Sequence, residues 1–306
     1  MNDEQRFAFD TWGFLTIEDA LTPEQVAALK ATVDEKGPDL HSQHSDRGGF
    51  WSQEFVDLLD VPVIAAILEE IYGGPRDDGE PPFRIDHINV HTHGTFNKDL
   101  AGGTIHGNNG RLLHPERPHE LITHYFERDP RTGQFSNGLV TVAYELEDTM
   151  CNGGGFGCLA GSHKGHYPVP EDWIDLAKGV HPMVTAVPAR AGDAIIFTEA
   201  LCHVTMPWTV PSTRTTLFYK YMPRDEAYSG QDNFFAPSDA DGWEGIDRRR
   251  RAILSPPPRE FVERKALATA EAERQARAAA VAAQATSGGW ISDRMICRMT
   301  SSTGLH

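Results

Sequence analysis

At residue 83 the periodicity of apolar side chains changes, and that change constrains the fold more than any other feature of the chain. Upstream, apolar residues recur at helical spacing. From 83 to 222 they fall instead in short strand-like runs, at 83–93, 139–147, 155–160, 183–188, 193–198 and 214–222, separated by Gly, Pro and Asn. Many short strands with turn residues between them build a sandwich or a barrel. Helices ahead of them make the expected fold mainly β with flanking helices, a jelly roll.

The flanks are read from helix signals. Residues 5–36 are expected to be helical around a short strand, Trp12-Gly13-Phe14-Leu15-Thr16-Ile17. Thr22-Pro23-Glu24-Gln25 has a capping Thr, Pro at the first helical position and Gln at the third, and Val26, Leu29 and Val33 then share a face. A second helix is expected over 53–72, stopped by Gly73-Gly74-Pro75. Pro256-Pro257-Pro258 breaks the chain, and 259–285 is rich in Ala, Glu and Arg with few large apolar groups. It reads as a solvated helix, packing by one edge or joining a homodimer. The expected organisation is a helix-flanked jelly-roll domain over 1–255 and a C-terminal helix and tail over 256–306.

Charge narrows the partners. With 44 acidic and 28 basic residues the net charge is −16, which repels nucleic-acid phosphates and anionic lipid. The run Arg248 to Arg251 reads as a solvated helix start. The first residues lack the basic-then-apolar pattern of a secretory signal, and no apolar run reaches membrane-spanning length. Cys151, Cys158, Cys202 and Cys297 have no CxxC spacing and read as reduced thiols, so the expected compartment is the cytoplasm.

Nine of the 14 histidines fall between His87 and His166, which directs the search toward metal chemistry. His203 follows the apolar strand Asp193-Ala194-Ile195-Ile196-Phe197, and Arg214 comes eleven residues later. Arg214 and Thr216 share one face of a strand, where a guanidinium and a hydroxyl can hold a carboxylate together. Taken alone, the same residues also describe a core histidine and a surface arginine. Asn89, His91 and His93 alternate along another strand, either facing inward to bind a ligand or forming a polar rim. His163 reads as a brace for its turn.

Further motifs favour the metal reading. Leu146-Glu147-Asp148, Asn152-Gly153-Gly154 and Gly161-Ser162-His163-Lys164 are followed by Gly192-Asp193-Ala194 through Phe197, then His203, Arg214 and Lys220 to Arg224. With Trp12-Gly13-Phe14 and Leu21-Thr22-Pro23-Glu24 ahead of them, they resemble the phytanoyl-CoA dioxygenase family over roughly residues 5–224. Ala160 stands where that family usually has Pro. The resemblance implies a double-stranded β-helix, a cupin-like jelly roll. It implies iron(II) held by two histidines and one carboxylate, with adjacent positions open for 2-oxoglutarate and O2. It assigns His203 as the distal iron ligand and Arg214, beside Thr216, as the anchor of 2-oxoglutarate. The expected activity is that of a non-haem iron(II)/2-oxoglutarate-dependent dioxygenase that oxidises an unactivated C–H bond of a small metabolite.

The chain departs from the family at the first ligands, which normally come from an H-x-D. The nearest match is His106-Gly107-Asn108, with an amide in place of the acid. His114-Pro115-Glu116 is a second candidate, but its Pro argues against a strand. The expected metal set is therefore His106, Asn108 and His203, with Glu116 or Glu145 as other sources of the third ligand. A site with no carboxylate would point to a halogenase on the same scaffold. A jelly roll that has lost 2-oxoglutarate chemistry is the remaining reading, and the His203, Arg214 and Thr216 set argues against it.

Overall fold

The computed structural model describes residues 1–36, 41–43, 50–74, 76–93, 102–107, 124–149, 154–209, 213–228, 235, 237–263 and scattered positions from 266 to 281. Helices α1 (Asp3–Trp12) and α2 (Pro23–Lys36) flank strand β1 (Phe14–Ile17). Asn2 and Gln5 form a capping box on α1, and Gly13 ends it at φ 85°. Thr22 and Gln25 cap α2 reciprocally: each backbone N–H donates to the other's side-chain oxygen, at 2.9 and 3.3 Å. The helix expected over 53–72 is two: α3 (Gln53–Asp57) and α4 (Pro62–Ile71), separated by a 3-10 turn. Pro62 causes the break, because it lacks an N–H and drives Val61 out of the helical region, to ψ 122°.

The remaining strands are β2 (His41–Gln43), β3 (Phe83–His93), β4 (Phe126–Arg128), β5 (Phe135–Asn137), β6 (Val140–Glu145), β7 (Gly155–Cys158), β8 (Thr185–Val187), β9 (Ala194–Thr198), β10 (His203–Met206) and β11 (Arg214–Pro223). A six-stranded sheet runs β1-β9-β6-β11-β3-β2, a three-stranded sheet β10-β7-β8, and β4 pairs with β5. Each named pairing is antiparallel.

Alternation sorts the large sheet into two faces. Val140, Val142 and Tyr144 of β6, Ala194 and Ile196 of β9, and Leu217, Tyr219 and Tyr221 of β11 join one apolar core with residues of α1, α2, α3 and α4. On the opposite face Ala143, Ile195 and Phe197 pack with Phe156 and Cys158 of β7 and Val187 of β8. The helices thus cover one face and the small sheet the other. The second face also carries Thr141, Glu145, Arg214, Thr216 and Lys220, where the register sets Thr216 opposite Glu145 and Lys220 opposite Thr141.

Two further helices are α5 (Glu171–Ile174) and α6 (Arg248–Leu254). The arginine run does start a helix, as expected, with Asp247 as its cap. It is also tied inward: Arg250 pairs with Asp57 and Asp60, and Arg249 with Glu69. Beyond Pro258 the described positions through 263 are helical, and Leu267 and Val281 are exposed. Among the described residues no helix is long and apolar enough to cross a membrane. Cys158 and Cys202 are buried free thiols.

Candidate active site

His106 and His203 come together through backbone pairing. The two form an isolated antiparallel bridge, with N–H to carbonyl distances of 3.0 and 2.8 Å. Gly107 makes the approach possible. It sits at φ +132°, and a Cβ there would lie 2.4 Å from the Leu201 carbonyl oxygen. His203 opens β10, opposite Cys158 of β7. The turn before it is pinned by Ser162, whose hydroxyl accepts from the Cys202 N–H at 2.8 Å. The G-S-H-K motif therefore acts by bracing the histidine strand.

Both imidazoles are oriented from behind. His106 Nδ1 lies 3.0 Å from the Thr104 carbonyl, and His203 Nδ1 lies 2.7 Å from that of Leu201. A carbonyl only accepts, so each Nδ1 carries the hydrogen and each Nε2 keeps a free lone pair. Burial pushes His106 down to about 3, helped by the neighbouring His203, and burial also lowers His203. Neutral imidazoles with Nε2 unprotonated are what a metal requires.

The third member is Glu199, at the turn after β9. His106, Glu199 and His203 each offer one ligand atom, and these lie within 4.8 Å of one another. Glu199 Oε2 is 3.4 Å from His203 Nε2, while Oε1 accepts from Lys220 Nζ at 2.6 Å and from the Thr141 hydroxyl. Burial opposes its charge, but the Lys220 ammonium beside it outweighs burial and holds the carboxyl well below the usual range. Two imidazole nitrogens and one carboxylate are the donor set of a divalent transition-metal site such as iron(II).

Glu145, one of the expected sources of the third ligand, is not part of this cluster. It forms a bidentate pair with Arg214, Nε to Oε2 at 3.0 Å and Nη2 to Oε1 at 2.5 Å, and accepts from Thr216 Oγ1 at 2.8 Å. Its position opposite Thr216 puts it on the face of the arginine, so the ion pair consumes it. Asn108, His114 and Glu116 lie outside the described residues. Glu199 was missed by sequence reasoning, although it stands in the run Ala194 to Cys202, where a charged side chain among apolar ones requires a partner.

Asn89, His91, His106, His203, Arg214 and Lys220 line one cavity of about 80 Å³, walled by Phe156, Phe197 and Phe218. Asn89 and His91 therefore face inward. Arg214 lines this cavity, and its Nη1 is buried and makes no hydrogen bond, so that nitrogen is left for an acceptor such as a carboxylate oxygen. His163 lies apart, its Nε2 3.0 Å from the Asp10 carbonyl, and braces the turn as expected. A larger surface groove of about 630 Å³ beside Tyr72, Tyr125 and Arg128 has no comparable group of ligands among the described residues.

A scan against models of known protein families finds no match, and no curated protein matches either. Solved structures do match. HygX from Streptomyces hygroscopicus with iron bound gives a TM-score of 0.61 at 20% identity, covering 74% of this chain and 89% of that one. HygX with nickel, 2-oxoglutarate and hygromycin B bound gives 0.59 at 20%, covering 79% and 95%. The epimerase SnoN in complex with Fe3+, alpha ketoglutarate and nogalamycin RO gives 0.50 at 18%, covering 73% and 84%. The chain thus shares its fold with proteins whose structures hold iron or nickel together with 2-oxoglutarate.

Proposed function

We propose that this chain is a non-haem iron(II)/2-oxoglutarate-dependent dioxygenase of the phytanoyl-CoA dioxygenase-like type, acting in the cytoplasm on a small metabolite with O2. The observation that carries this reading is the cluster of His106, Glu199 and His203, three ligand atoms within 4.8 Å of one another, with both histidines lining one cavity. In this reading residues 1–255 are the catalytic domain, the two larger sheets are the walls of a double-stranded β-helix, and 256–306 is an accessory helix and tail.

Iron(II) with 2-oxoglutarate supplies, when bound, the capacity to activate O2 and remove hydrogen from an unactivated C–H bond, with succinate and CO2 leaving. The chain does the rest. His106 and His203 would present Nε2 to the metal and Glu199 a carboxylate oxygen that would offset part of its charge. Lys220 and Thr141 fix the Glu199 carboxylate. Arg214 and Thr216 anchor the distal carboxylate of 2-oxoglutarate. Phe156, Phe197 and Phe218 give the pocket an apolar wall.

Glu199 also answers the departure at position 108. The halogenase reading drew its support from a missing carboxylate, and a carboxylate stands beside both histidines. Hydroxylation is therefore the favoured outcome. The test is succinate release from 2-oxoglutarate across a metabolite library. Turnover that requires iron and O2 and disappears in His203→Ala supports the reading. Absence of 2-oxoglutarate turnover from iron-loaded, folded protein overturns it.

A further inference from the structure

We propose that Glu145 is an internal competitor for the 2-oxoglutarate anchor and sets how strongly the site discriminates among 2-oxo acids; this deepens, and rests on, the reading of the site as 2-oxoglutarate-dependent. The carboxylate of Glu145 already engages the two groups proposed to anchor the distal carboxylate of the co-substrate. It engages Arg214 through Nε at 3.0 Å and Nη2 at 2.5 Å, and it takes the Thr216 hydroxyl at 2.8 Å. What Arg214 has left is Nη1, buried and without a hydrogen bond, and Arg214 lines the cavity shared with His106 and His203.

Charge decides the consequence. A fork-to-fork pair is the strong geometry for an arginine and a carboxylate. The pair with Glu145 spends the Nε–Nη2 edge of Arg214 and leaves only the edge that carries Nη1. A dicarboxylic 2-oxo acid entering this cavity meets an anchor already neutralised, with a second carboxylate alongside. Like charges in a site shielded from water repel strongly. The distal carboxylate must displace Glu145 or use the remaining Nη1 edge beside it.

Glu145 cannot step aside by moving its backbone. Its N–H donates to the Asp193 carbonyl at 3.0 Å, and its carbonyl accepts from Gly192 at 2.8 Å. That turn is itself fixed, by the Asp193 carboxylate on the Asp19 and Arg190 N–H groups and by Asp148 on the Ala191 N–H. Release of Arg214 therefore requires rotation of the Glu145 side chain alone. The arrangement holds Arg214 in a preformed position while weakening its preference for a dianionic co-substrate.

The test is calorimetric binding of 2-oxoglutarate to the manganese(II)-loaded full chain under nitrogen, in wild type and in Glu145→Gln, which keeps the shape and removes the charge. The expected result is 2-oxoglutarate binding tightened by about tenfold or more in the variant, with manganese affinity unchanged. Equal or weaker 2-oxoglutarate binding in the variant overturns the inference and leaves the proposed function standing. Failure of both proteins to bind 2-oxoglutarate while both hold manganese overturns both. A measurement on wild type alone covers a variant that does not fold. 2-Oxopentanoate, which lacks the distal carboxylate, should bind within about tenfold of 2-oxoglutarate, whereas a preference of about a hundredfold for 2-oxoglutarate would show a free anchor and contradict the competition.

Discussion

His106 and His203 are 97 residues apart in the sequence and directly opposite one another in space, their backbones bridged in both directions and their ring centroids 4.2 Å apart. The bridge, rather than a continuous strand, sets the spacing of the two Nε2 atoms. Whatever holds that bridge together holds the candidate metal site together.

Gly107 is the weakest point of this arrangement. A Cβ at Gly107 would meet the Leu201 carbonyl oxygen at 2.4 Å, and φ is +132°. Gly107→Ala should separate His106 from His203 and weaken metal binding by about tenfold or more. Gly179 has a comparable φ of +129° but open space around it. Gly179→Ala should therefore cost backbone strain of about 1–3 kcal/mol and leave metal affinity intact. Metal titrations and denaturation curves on the two variants separate local strain from damage to the site.

Glu199 should matter more to the metal than position 108. Glu199→Gln removes the negative charge from between two imidazoles and Lys220, and iron affinity should fall by about a hundredfold or more. Asn108→Ala should change it by less than about tenfold. Competition against a metal-binding dye measures both, and the reverse order would return the third ligand to position 108.

The Arg214–Glu145 pair gives a stability prediction. Both side chains are essentially buried. Arg214→Leu alone strands a buried carboxylate and should cost about 3–5 kcal/mol, whereas adding Glu145→Leu should recover most of that loss. Urea unfolding of the two singles and the double measures the coupling. Additive losses would mean that the two residues do not form the pair.

Acid should destabilise the protein in part through His163. Burial pushes His163 down to about 4, whereas its unfolded value is near 6.5. Between those values the unfolded chain binds a proton that the folded one does not, so stability is present above about 6.5 and falls as pH drops toward 4. The loss is at most about 3 kcal/mol. His163→Gln should flatten the stability-versus-pH slope over that window, and an unchanged slope would place the acid sensitivity elsewhere.

Much of the fold was legible because strands buried on both faces read as short apolar runs bounded by turn residues. The run 83–93 is β3 at both ends, and 139–147, 155–160, 183–188, 193–198 and 214–222 each contain or overlap a strand to within a few residues. The break at Val61-Pro62 was lost because apolar residues continue across it, though the Pro itself announced it. Of the candidate residues named from the sequence, His106, His203 and Arg214 line one cavity, but their partners were not legible. Glu199 reaches the cluster from a turn, where no periodicity marks the direction of a side chain. Glu145 meets Arg214 across a strand pairing, and register between distant strands is not written in either segment alone.

The central claim is that His106, Glu199 and His203 hold one iron together. Its most direct test is an anaerobic iron(II) titration of wild type and of His106→Ala/His203→Ala, with folding of both checked by circular dichroism. The account predicts one iron per chain in wild type and none retained by the double variant. One iron per chain in the folded double variant would contradict it.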